Sequence, residues 1–67
     1  MIDSLKIKEA AKEIMKAREK ISQAYTEPLS KVEMAGLDEV RHILWDLAFT
    51  ILKRAEIFDR VTWKKIL

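Results

Sequence analysis

Ten consecutive residues of this 67-residue chain, Ile43-Leu44-Trp45-Asp46-Leu47-Ala48-Phe49-Thr50-Ile51-Leu52, include only two polar side chains, Asp46 and Thr50. At about 100° per residue, the eight apolar side chains wrap well over half of a helix circumference. A surface helix needs one apolar stripe. This one needs cover on at least two sides, and a chain this short has few elements to supply it. The segment is therefore expected to be the centre of the fold and of an assembly.

Size sharpens the point, because a single core of this scale barely offsets chain entropy without disulfides, a structural metal or oligomerisation. There is no Cys, which removes disulfides and thiolate zinc sites, and a lone His makes an intrachain zinc site improbable. Oligomerisation is the aid that remains, with a homodimer the first expectation. One Gly and one Pro exclude a turn-rich β architecture, and the abundant Ala, Glu, Lys, Leu, Arg and Met favour helix. The opening Met1-Ile2-Asp3-Ser4 lacks the pattern of a secretory leader, and the apolar run is too short to span a bilayer. A soluble cytoplasmic protein with no membrane partner is the expectation. The absence of Asn, with only one Gln, leans towards a thermophilic source, and a microbial, viral or plasmid origin is the expectation.

The fold expected is all-α, a single domain over 1–67 built as an antiparallel helical hairpin. Helix one runs over about 4–26, capped by Asp3 or Ser4. Ile7, Ala10, Ile14, Ala17, Ile21 and Ala24 alternate at heptad a and d positions, large then small, so a partner backbone can approach closely. Thr26-Glu27-Pro28 ends this helix. Ser30-Lys31-Val32-Glu33 matches a capping box and starts a short connecting helix over about 31–35, closed by Gly36 in a left-handed conformation. The alternative is one unbroken helix from Lys31 onward. Helix two is expected over about 38–58, with Leu37, Val40, Leu44, Leu47, Ile51 and Phe58 on its seam. A C-terminal turn over about 62–66 would fold Trp63, Ile66 and Leu67 back over the hairpin. Two hairpins would pair through helix two into a four-helix bundle, with the Ile/Ala face of helix one closing each hairpin.

Three groups of residues are candidates for function. Trp45, Phe49 and Leu52, at i, i+4 and i+7, form a second apolar face beside Leu44 and Ile51, suited to self-association or to a different protein partner. Glu39-Val40-Arg41-His42 has the Glu-x-x-His spacing of bundle metal sites. However, Glu39 and His42 share a polar stripe with Asp46, Thr50 and Lys53 that points away from the seam, so a solvated stripe is favoured. Lys8, Lys12, Lys16 and Lys20 form a ridge that, with Arg60, Lys64 and Lys65, could contact nucleic-acid phosphates. Glu9, Glu13 and Glu19 lie at pairing distance along the ridge, which favours a salt-bridged surface. Charge is divided along the chain: residues 32–52 carry Arg41 against four acids, while residues 53–67 carry five basic and two acidic side chains.

A helix-turn-helix with its turn at Ala35-Gly36-Leu37 is excluded, because Asp38 and Glu39 would meet phosphate at the recognition helix. No catalytic motif stands out: there is no Gly-rich phosphate loop, nucleophile elbow or Cys nucleophile. The leading expectation is a non-enzymatic, cofactor-free interaction protein, a regulator or adaptor that acts through its apolar helix face. A nucleic-acid-binding dimer and a metal-binding bundle are the alternatives.

Overall fold

The computed structural model describes residues 1–57 and contains two helices, α1 (Ser4–Ala24) and α2 (Lys31–Arg54), packed as an antiparallel hairpin. Among the described residues there is no strand. Asp3 caps α1, its carboxylate accepting from the Leu5 and Lys6 amides at 3.1 and 3.3 Å. At the other end the Tyr25 amide donates to the Ser22 carbonyl, and the chain turns through Glu27–Pro28. Both halves of the expected capping box are present at the start of α2. The Glu33 amide donates to Ser30 Oγ at 3.1 Å, and the Ser30 amide donates to Glu33 Oε1 at 3.3 Å.

The short connecting helix expected over 31–35 does not exist as a separate element. The helix started by the capping box runs through Gly36, whose φ is not positive, to Arg54. An interior glycine costs roughly 1 kcal/mol relative to alanine. Breaking the helix would instead expose several carbonyls and lose the shared register of Leu37, Val40 and Leu44, so continuation wins. The left-handed residue lies at the far end. Glu56 has φ 57°, its amide donates to the Lys53 carbonyl, and the Ile57 amide donates to the Leu52 carbonyl at 2.9 Å. These two bonds are a Schellman motif, with buried Ile57 contributing its apolar contact. They end α2 at Arg54, short of the expected 58. Phe58, the turn over 62–66 and its Trp63, Ile66 and Leu67 lie outside the described residues.

The core is small. Ala11, Ala48, Leu52 and Ile57 are buried together, with Ile7, Ile14, Met15, Ile51 and Ala55 packed around them, and Leu37 is buried nearer the connecting turn. Here α1 departs from the expected seam by one residue. Ala11 is buried and Met15, Arg18, Ser22 and Tyr25 are half-buried, whereas Ala10, Ala17 and Ala24 are exposed. The line actually used is Ile7-Ala11-Ile14-Arg18-Ile21-Tyr25, also a heptad pattern. It wins because Met15, Tyr25 and the aliphatic stem of Arg18 offer far more burial than three alanine methyls.

Candidate interaction surface

Each helix of a two-helix hairpin has a flank on either side of the shared contact line. At about 100° per residue, Ala10, Ala17 and Ala24 lie roughly 100–140° to one side of buried Ala11 on α1. Measured in the same sense from buried Ala48 on α2, Val40, Ile43 and Leu47 lie roughly 80–140° away. In an antiparallel pair, offsets of the same sense emerge on the same broad face. Ile7, Ile14 and Ile21 on α1, and Leu44 and Ile51 on α2, lean towards that face from the contact line and are half-buried. Ile43 is 55% exposed and Leu47 47% exposed. The result is a surface across both helices that is uncharged between Glu33 and Arg54 at the two ends of α2 and is bordered on α1 by Lys6, Glu13 and Lys20. The heptad expected to close the hairpin therefore faces partly outward.

The residues singled out as a second apolar face are placed differently from the expectation. Leu52 is fully buried in the core and contributes to no surface. Trp45 is half-buried under Arg18, whose guanidinium carbon lies 5.7 Å from the ring centroid and whose Nε donates to the Arg41 carbonyl at 3.2 Å. Phe49 is 43% exposed on this second broad face, on the other side of the contact line from Leu47. An outward-turned Trp45–Phe49–Leu52 face is thus replaced by two features: a core in which Leu52 is central, and an apolar face centred on Ile43 and Leu47. Ile43 was not singled out by sequence reasoning. Its signal was its place one turn before Leu47.

The second broad face carries polar chemistry. Arg18, Asp38, Arg41, His42 and Trp45 line an open cleft of about 480 Å³. Arg41 Nε is buried there with no hydrogen-bond partner among the described residues. Next to the cleft, His42 Nε2 is 3.2 Å from Asp46 Oδ2, both side chains being well exposed. Glu39 is also exposed, and the described residues contain no group of three or more His, Cys, Asp or Glu arranged to hold a metal ion.

Along the lysine ridge, Lys12, Lys16 and Lys20 are exposed and Lys8 is half-buried. Their four-residue spacing winds them about 40° per step around α1, so they do not converge on one site. Lys16 Nζ lies 3.4 Å from Glu13 Oε1, the i,i+3 pairing expected of a solvated surface. Arg60, Lys64 and Lys65 lie outside the described residues. No described helix is long and apolar enough to cross a membrane.

Comparison with protein families, with curated proteins and with solved structures finds no match to this chain.

Proposed function

We infer that this chain is a small, non-enzymatic helical interaction protein that self-associates through the apolar face of its hairpin, as a regulator or adaptor does. One observation carries the reading. An apolar surface, charged only at its ends, extends over both helices, with Ile43 and Leu47 each about half exposed at its centre. Monomeric soluble proteins rarely leave so continuous an apolar patch uncovered. The hairpin measures 45 × 18 × 16 Å. Its broad face is thus on the scale of the roughly 800 Å² per partner that a standard interface buries. The small core points the same way, since a second hairpin laid on this face would double the layers available for burial.

The test is solution mass by light scattering from micromolar to millimolar protein, at low and high salt. A dimer that holds at high salt supports the reading, because apolar burial is not weakened by screening. Monomer throughout overturns it.

The exposed Lys12, Lys16 and Lys20 favour one competing reading, a nucleic-acid-binding dimer that also uses Arg60, Lys64 and Lys65. Phosphate contacts would make binding fall steeply with salt, and Lys12→Glu with Lys16→Glu would abolish it. Unchanged behaviour of that double variant on a mixed-sequence RNA or DNA duplex excludes this alternative.

A further inference from the structure

We propose that two copies of this hairpin stack with α1 of each lying over α2 of the other, so that both connecting turns sit at the same end of a four-helix bundle. This rests on the self-association inferred above and specifies its partner surface and symmetry. A two-fold axis that brings the apolar faces together runs either along the helices or across them. The first places α1 over α2 of the second copy; the second places α1 over α1 and α2 over α2.

Side-chain size separates the two. The outward stripe of α1 is made of Ala10, Ala17 and Ala24, while α2 raises Ile43 and Leu47 above the surface. Within one hairpin, Ala11 and Ala48 share the core cluster and Arg18 reaches the Arg41 carbonyl. Residues whose numbers sum to about 59 are therefore level. An axis along the helices preserves these levels. Ala17 then faces Ile43 of the second copy, and Ala10 sits between its Leu47 and Ile51. Ridges enter hollows along the whole face, which keeps the helix spacing uniform.

Charge at the border favours the same arrangement on balance, although Lys6 there comes level with Arg54 of the second copy at the open end. With α1 antiparallel over α1, the register that sets Ala10 over Ala17 of the second copy brings Lys6 beside Lys20 and Glu13 beside its own copy. Both are like-charge contacts at the edge of an apolar interface; the Lys6–Lys20 contact occurs twice by symmetry and the Glu13 contact once, on the axis. With α1 over α2, Lys20 instead comes level with Glu39 of the second copy, and both project from the same outer edge. Within one hairpin these two residues point to opposite sides and cannot meet. Neither has an ion pair among the described residues.

The experiment is a double electron–electron resonance measurement on the full chain carrying Thr26→Cys with a nitroxide label. The chain has no native Cys, and Thr26 is exposed in the connecting turn. Turns at the same end place the two labels about 15–25 Å apart, whereas turns at opposite ends separate them by roughly 35 Å or more. The short distance as the main population is the expected result. A long distance, alone or as an equal population, overturns the stacking order and leaves self-association standing. No dipolar coupling, with monomer mass at the same concentration, overturns both. A second arm uses charge. Lys20→Glu should weaken dimerisation on the order of tenfold, and adding Glu39→Lys should restore it. A double variant no tighter than the single one contradicts the pairing.

Discussion

Replacing Gly36 by alanine separates the continuous α2 from the two-helix alternative that the sequence also allows. In the structure Gly36 is interior to α2, its φ is not positive, and a Cβ built on it meets nothing within 4 Å. The added methyl should then bring only the helix-propensity difference, about 1 kcal/mol in favour of the folded state. In a domain of this size that raises the unfolding midpoint by ~4–8 °C. The assay is thermal unfolding followed by far-UV circular dichroism at several protein concentrations, with guanidinium unfolding as a check on the free energy. Gly36 borders the apolar face, so the association constant is measured alongside. Helix stabilisation moves the midpoint at every concentration alike, whereas a clash across the face shows as weaker association. A fall of 1 kcal/mol or more in monomer stability would refute the reasoning. Such a loss is what alanine gives when forced into a left-handed position, the conformation that a helix break at Gly36 would require.

Four further substitutions probe other parts of the fold. Glu56→Gly should stabilise the chain by about 1 kcal/mol, because Glu56 holds φ 57° in the Schellman turn; urea unfolding reads the gain, and no gain means that turn is not formed in solution. Ser30→Ala removes one arm of the capping box and should cost ~1 kcal/mol in the same assay, with loss of amide protection confined to the first turn of α2. Leu52→Ala should cost about 3–5 kcal/mol, since the side chain is fully buried and its space must stay as a cavity, while Leu47→Ala should cost the isolated hairpin under ~1 kcal/mol; near-equal losses at low protein concentration would contradict the assignment of Leu52 to the core and Leu47 to the surface.

Much of this architecture can be read from the residues, because its signals are local. Asp3 as a cap, Pro28 as a stop and the Ser30–Glu33 capping box each act within one turn of helix and appear as expected. The errors arise where two solutions share residues. Ile7, Ile14 and Ile21 belong to two heptad lines at once. Choosing between Ala10-Ala17-Ala24 and Ala11-Arg18-Tyr25 depends on what lies opposite, which no spacing along α1 reveals. A polar Arg18 argues against the second line until Trp45 is seen beneath its guanidinium, where the charge faces the ring. The same contact explains Trp45, which the sequence turns outward and the structure half-buries. Leu52, which its i+7 spacing puts on the face of Trp45 and Phe49, is instead enclosed by Ile57, which folds back through the Schellman turn. Gly36 misleads because its propensity is a small term, overridden by the packing on either side.

The proposed self-association rests on the outward half of the Ile/Ala and Val/Leu heptads, which remains half open in one hairpin. Sedimentation equilibrium of the wild-type chain beside Leu47→Glu tests that claim most directly. A symmetric interface would bury two copies of the new carboxylate without partners, each costing several kcal/mol, so association should fall about a thousandfold or more. The predicted result is a wild-type dimer that persists at high salt and a Leu47→Glu monomer that keeps its helical circular dichroism, because Leu47 contributes little to the hairpin's own core. A Leu47→Glu variant that dimerises as tightly as the wild type would contradict the account, and so would a wild-type chain that is monomeric at millimolar concentration.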